Sequence, residues 1–246
     1  IFDEVISGFR FHPAGIQGMF GIKADIGTYG KVAGGGLSIG IIAGHKKYMD
    51  ALDGGFWQYG DSSVPEAGVT YFAGTFVRHP LALATTKASL LYLKEQGPQL
   101  QENLNANTRF IADSINAICR RLKVPMFIAQ FGSLWRIRFL TDYPYQELFF
   151  TLMRYKGIHI LEGFPCYMTT AHSKNDIAQI ISCFEESLTE LIGYGFIPAY
   201  EHPAIDEIKA LNQPPVPGAK LGKDHNGNPA WFVNDEANPG KYLMIS

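Results

Sequence analysis

In the first fifty residues, glycine recurs between short apolar runs, and this spacing confines the segment to short strands joined by tight connections. Residues 1–6, 26–29 and 38–44 read as strands. Gly8, Gly15, Gly18, Gly21 and the triplet Gly34-Gly35-Gly36 separate them. A connection over 53–74 carries Trp57, Tyr59, Tyr71 and Phe72. So many aromatics in a long irregular segment predict that it is ordered against something.

The pattern then changes to helical. Pro80 suits a first-turn position, and 81–96 holds good helix formers. Gly97-Pro98 punctuates. A second helix is predicted over 99–122, with Leu104, Ile111, Ile115 and Ile118 on one stripe. Residues 127–140, broken at Gly132-Ser133, alternate as strands, with Trp135, Ile137 and Phe139 on one face and Arg136 and Arg138 on the other. A helix over 145–156 and a short strand over 158–161 follow. Ser173 with Asp176 three residues on reads as a capping box for a helix whose buried stripe includes Ile177, Phe184 and Leu188, stopped by Gly193 and Gly195. After residue 200 the composition is that of a linker, with a short helix over 204–211 and short strands over 231–233 and 242–245. The predicted class is α/β, with a glycine-rich portion over 1–96, a smaller α+β portion over 97–198 and a tail over 199–246.

Composition excludes several functions. With 46% apolar and 18% charged residues the chain is neither disordered nor fibrous. A net charge of −2 gives no basic footprint for nucleic acid or for an anionic membrane. No apolar run reaches the roughly 20 residues that span a bilayer. Cys119, Cys166 and Cys183 are too scattered for a disulfide framework, which fits a reducing, cytoplasmic setting. The chain opens on a strand-like run without Met, and we expect it to be an excerpt of a longer one.

The usual glycine-loop chemistries fail on inspection. Gly30-Lys31 is followed by Val32, so there is no P-loop, and Ile39 stands where a dinucleotide fingerprint after Gly34 and Gly36 needs glycine. The histidines lack metal-ligand spacing, so no metal is expected, and no GxSxG elbow is present. A third pattern does fit. Asp3 and Val5 are two apart on a predicted strand and should share a face. Lys31, at a strand end among glycines, suits a carbonyl-trapping amine. Gly74-Thr75-Phe76 precedes a helix start, where a hydroxyl and free N–H groups suit a phosphate. Acid, amine and phosphate binder together match the needs of pyridoxal phosphate. Each also has an ordinary counterpart: a turn-forming Asp, a solvated Lys and an N-cap Thr.

The wording of the motifs favours the first set. Phe2-Asp3-Glu4-Val5-Ile6-Ser7-Gly8-Phe9-Arg10, Ala14-Gly15-Ile16-Gln17-Gly18-Met19-Phe20-Gly21, Tyr29-Gly30-Lys31-Val32-Ala33-Gly34-Gly35-Gly36-Leu37 and Gly74-Thr75-Phe76-Val77-Arg78-His79-Pro80 occur in that order. In these residues the chain resembles the class III (fold type I) pyridoxal phosphate aminotransferases, particularly the glutamate-1-semialdehyde aminomutase branch, from residue 1 to about 195. His79-Pro80 stands where Asn-Pro is commoner. The resemblance implies the C-terminal part of the large domain followed by a smaller α+β domain. It gives Asp3 the pyridine nitrogen, Val5 a ring face, and Lys31 the covalent hold on the cofactor together with the proton shuttle, a role that needs a neutral amine. Gly74 and Thr75 would bind the cofactor phosphate of a partner subunit, in a homodimer with a shared active site. The family's other phosphate loop and a stacking aromatic lie upstream of the Asp motif and are not in this sequence.

The segment around Pro214-Pro215-Val216-Pro217-Gly218, with Gly227-Asn228-Pro229-Ala230-Trp231-Phe232 and Pro239-Gly240-Lys241-Tyr242, is similar to the linker after aminotransferase domains in mixed polyketide/non-ribosomal peptide synthetases of the microcystin and nodularin type. An ordinary C-terminal extension is the alternative. The resemblance implies transfer of an amino group from a donor amino acid, glutamate foremost, to a β-keto acyl chain on a carrier protein. Two other readings stay open: a free-standing aminomutase or ω-aminotransferase acting on a small soluble substrate, and a non-catalytic interaction module that keeps the fold. His172 is expected to cap a helix.

Overall fold

The computed structural model describes residues 1–55, 57–66, 68, 73–202, 219–225, 229–235, 238 and 241–245. The chain forms two compact units, Ile1–Pro198 and Ala199–Ser246.

In the first unit, β1 (Phe2–Asp3) runs parallel to β2 (Ile26–Gly30), and β2 runs antiparallel to β3 (Gly40–Gly44). Phe2 pairs with Gly27 and Asp3 with Thr28, so both parallel strands end on the same side of the sheet. Helices α1 (Gly15–Phe20) and α2 (Lys46–Asp53) lie between and after these strands. They stand where glycine density predicts only strands and turns. Both are short and end on glycine, Gly21 and Gly54, so neither shows the long apolar period that marks a helix in sequence. The first strand is also shorter than the predicted 1–6, because the chain turns after Glu4, whose backbone oxygen accepts from Gly8 N–H at 2.8 Å. Helix α3 (Pro80–Gln96) packs against the 3-10 turn Lys31–Gly34, and Ser89 Oγ donates to the Val32 carbonyl at 3.1 Å.

A second sheet holds the main core. Strands β4 (Met126–Phe131), β5 (Leu134–Phe139) and β6 (Cys166–Tyr167) are antiparallel in that order. Helices α4 (Gln99–Arg121), α5 (Leu148–Tyr155) and α6 (Lys174–Gly193) cover one face. Ile111 and Ile115 of α4, Phe149 and Met153 of α5, Phe184 and Leu188 of α6 and Trp135 of β5 form a continuous buried cluster. Burying a side chain of this size contributes roughly 1.5–3 kcal/mol. Arg136 and Arg138 take the opposite face of β5, as its alternation predicts. The strand predicted over 158–161 does not form. The third strand is instead β6, whose Cys166 and Tyr167 pair with Trp135 and Leu134. Ser173 and Asp176 form the expected capping box on α6, through Asp176 N to Ser173 Oγ at 3.2 Å and Ser173 N to Asp176 Oδ2 at 2.7 Å.

The second unit contains an antiparallel meander of β7 (Lys220–Lys223), β8 (Pro229–Asn234) and β9 (Tyr242–Ile245). The helix expected over 204–211 lies outside the described residues, as do Tyr71 and Phe72. Tyr59, expected to pack, is 94% exposed. Among the described residues no helix is long and apolar enough to cross a membrane, and no group of three His, Cys, Asp or Glu side chains is placed to hold a metal.

Candidate active site

The parallel register puts Asp3 at the carboxyl end of β1 and Lys31 directly after the carboxyl end of β2. In open α/β sheets this is the edge where ligands bind. Lys31 begins the 3-10 turn with φ +44°, a left-handed conformation uncommon outside glycine, and its side chain is exposed. The glycine triplet and α3 hold that turn from behind.

Val5 does not share a strand face with Asp3, because β1 ends at Asp3. Instead Asp3 Oδ1 accepts from Val5 N–H at 2.9 Å, an Asx turn that brings the half-buried Val5 around the strand end. A Cβ on Gly30 would lie 3.5 Å from Val5 Cγ1, so Val5 adjoins the residue before Lys31. Asp3, Val5 and Lys31 thus gather at one corner.

Asp3 itself is exposed. The buried acid at this strand end is Glu4, 1% exposed and passed over by the spacing argument. Its carboxylate accepts from Ser7 Oγ at 2.5 Å, Ile16 N at 3.1 Å and Gln17 N at 3.0 Å. Burial pushes its pKa up, but these hydrogen bonds outweigh burial and hold it below its ordinary value. Gly15 has φ +64°, and a Cβ there would meet both carboxylate oxygens at 2.7 Å. Glu4 therefore ties β1 to the start of α1 and fixes the backbone that carries Asp3. A Glu with Ser three residues on and glycine at 15 is a faint sequence signal for it.

Gly74 and Thr75 lie on another stretch of the chain, before α3. Thr75 is exposed in a turn five residues before α3, so it precedes the helix start as expected and is not its N-cap. His79 holds that position, and its Nδ1 accepts from Ala82 N at 3.5 Å. In the turn, Val77 N–H donates to Gly74 O and His79 N–H to Phe76 O. Among the described residues the N–H groups of Thr75 and Phe76 donate to no acceptor, which suits an anion. His172 braces a turn rather than capping α6. Its Nδ1 lies 3.2 Å from Thr169 N and 3.0 Å from Thr169 Oγ1.

The model of the family described as aminotransferase class-III matches residues 1–188. The chain belongs to the class-III aminotransferase family. It is 32% identical over 206 residues to glutamate-1-semialdehyde 2,1-aminomutase of Ruminiclostridium cellulolyticum, covering 78% of this chain and 44% of that protein. The aminomutase of Methylacidiphilum infernorum is 33% identical over 206 residues, with the same coverage. Among solved structures, the β-phenylalanine aminotransferase from Variovorax paradoxus aligns with TM-score 0.66 at 24% identity, over 81% of this chain and 46% of that one. An ω-transaminase from Sphaerobacter thermophilus gives 0.64 at 22% identity, over 78% and 44%. The fold is that of the fold type I pyridoxal phosphate enzymes, and the chain spans less than half the length of the relatives it matches. The class-III family depends on pyridoxal phosphate, and one aligned structure is a transaminase with that cofactor bound.

The residues present fit the cofactor's chemistry. An exposed carboxylate at a strand end suits a protonated ring nitrogen, an exposed primary amine suits a carbonyl, and N–H groups that meet no acceptor among the described residues, beside a hydroxyl, suit a phosphate.

Proposed function

We propose that this chain is part of a pyridoxal phosphate-dependent aminotransferase, with Asp3, Val5 and Lys31 on one part of the cofactor site and Gly74 and Thr75 on a phosphate site shared across a homodimer. The observation that carries this reading is the placing of Asp3 and Lys31 at the carboxyl ends of adjacent parallel strands, with Lys31 in a strained left-handed turn. In this reading residues 1–96 belong to the large cofactor-binding domain, 97–198 to the small domain, and 199–246 to a linker toward a following module.

When bound, pyridoxal phosphate supplies an electron sink for charge developing at the substrate's α-carbon. Asp3 keeps a proton on the ring nitrogen. Val5 covers a ring face and excludes water there. Lys31 Nζ would hold the cofactor at its carbonyl carbon and, as a free amine, would move a proton at the substrate's α-carbon. Thr75 Oγ1 and the Thr75 and Phe76 N–H groups bind phosphate oxygens.

The test of the site is chemical trapping. Borohydride reduction of the protein with pyridoxal phosphate is expected to leave a pyridoxyl group on the Lys31 peptide, read by mass spectrometry. Labelling of a different lysine, or undiminished labelling in Lys31→Ala, refutes the assignment.

For the substrate, the tail motifs support a β-keto acyl chain held as a carrier-protein thioester, with glutamate as donor, in a cytoplasmic megasynthase. A free-standing aminomutase acting on a small substrate is favoured by the relatives, which bear the name glutamate-1-semialdehyde 2,1-aminomutase at 30–33% identity. Rates of the intact protein on carrier-bound and free keto acids separate the two, since the first requires preference for the tethered chain.

A further inference from the structure

Lys31 opens its turn with φ +44°, and a side-chain-bearing residue stays in that conformation only where its surroundings over-determine it. The turn is held from two sides. Ile39 closes on Gly34, where a Cβ would lie 3.1 Å from Ile39 Cγ2. Helix α3 stands on the other side. The Val32 carbonyl, one residue after Lys31, accepts from Gly35 N–H at 3.2 Å within the turn and from Ser89 Oγ at 3.1 Å across from α3.

Serine in mid-helix needs a reason. It is a poorer helix former than alanine, and a hydroxyl there commonly bonds back to a carbonyl of the preceding turn. Thr85 does so, with Oγ1 donating to Leu81 O and Ala82 O at 3.1 Å each. Thr86 Oγ1, buried in the same stretch of α3, meets no partner. Ser89 instead reaches out of its own helix to a carbonyl 57 residues earlier in the chain. It also stands closest to the glycine triplet: a Cβ on Gly35 would lie 3.2 Å from Ser89 Cβ. The hydroxyl therefore acts at the place where α3 and the Lys31 turn touch.

We propose that Ser89 is a positioning residue for Lys31: its hydroxyl holds the Val32 carbonyl and, through it, the left-handed backbone that presents the Lys31 amine at the carboxyl end of β2. The hold on the turn stands on the geometry alone; its consequence for the cofactor rests on the pyridoxal phosphate reading of the function.

The experiment compares the full chain with Ser89→Ala and Ser89→Thr. Alanine removes only the hydroxyl and favours the helix, so α3 keeps its shape. Losing one neutral hydrogen bond is expected to speed hydrogen exchange at Gly35 N–H, the other donor to Val32 O, roughly fivefold, with the amides of β5 unchanged. Borohydride trapping of pyridoxal phosphate on Lys31 is expected to slow by a similar factor. Pyridoxine 5′-phosphate has an alcohol in place of the aldehyde and cannot react with an amine, so its binding, followed by fluorescence, is expected to stay the same. Ser89→Thr keeps a hydroxyl and is expected to restore both exchange and trapping. Unchanged exchange at Gly35, undiminished trapping, equal losses in both variants, or a parallel loss of pyridoxine 5′-phosphate binding overturns the proposal. Absence of trapping in the unmodified chain, with exchange responding as expected, upholds the hold on the turn and overturns the pyridoxal phosphate reading instead.

Discussion

Glu4 shows how one side chain can position a site without touching its chemistry. Taking a carboxylate out of water is costly, and here the hydroxyl of Ser7 and the amides of Ile16 and Gln17 offset that cost. Glu4→Gln keeps the shape but turns an amide N–H₂ toward backbone donors, so it is expected to lower stability by roughly 1–3 kcal/mol at pH 7. The folded-state pKa lies below the ordinary 4.5, so the contribution is present above about that pH and is lost as pH falls through the folded value. Urea midpoints of the two proteins should therefore differ at pH 7 and converge toward pH 3. A gap that stays constant over that range would show that the charge is not what matters. Asp3, Lys31 and Thr75 stand out as candidates in the sequence because their neighbours form recognisable strings. Glu4 does not, since its importance comes from burial, and alternation along a strand says nothing once the strand stops at Asp3.

At the scale of elements, the Lys31 turn depends on how closely α3 approaches the glycine triplet. Gly35 has φ +59°, and a Cβ there would lie 3.2 Å from Ser89 Cβ and 3.3 Å from Thr85 O. Gly35→Ala is expected to cost roughly 1–2 kcal/mol through strained backbone and crowding. It should also reduce borohydride trapping at Lys31. Ser173→Ala is the matched control: it removes the N-cap of α6 at a cost of about 1 kcal/mol and should leave trapping at Lys31 unchanged. Equal losses of trapping in both variants would mean that the turn responds only to general stability. Helix α6 is visible in the sequence because cap and apolar period agree there, at Ser173 and along Ile177, Phe184 and Leu188, whereas α3 is marked by Pro80 and its helix formers and α4 by its apolar stripe. Helices α1 and α2 carry too few turns to establish a period. The strand expected at 158–161 has the right residues, but strand formation needs a partner, and β5 pairs with Cys166 and Tyr167 instead.

At the scale of the first unit, the question is what makes one compact body of two separate sheets. The segment from Phe9 to Phe11 joins them. Gln101 Nε2, on the buried side of α4, donates to Phe9 O at 3.0 Å, and Asn105 Nδ2 donates to Phe11 O at 2.9 Å. The Arg10 guanidinium lies 4.6 Å from the centre of the Tyr167 ring, and its burial lowers its pKa from the ordinary value. Phe11, 5% exposed, meets Phe131 edge to face at 5.3 Å. Phe9 packs on Tyr29 of β2 at 5.7 Å, so three consecutive residues reach both sheets. This joint crosses the proposed domain boundary near residue 96, and it implies that the two portions unfold together. Phe11→Ala should remove about 3–5 kcal/mol. Native-state hydrogen exchange can show where that loss falls. If the joint couples the sheets, the slowest amides of the central strands β2 and β5 lose protection by the same amount. Loss confined to β2, with β5 unchanged, would mean that the second sheet and its helices stand as an independent cooperative unit and that the boundary near residue 96 is also a thermodynamic one.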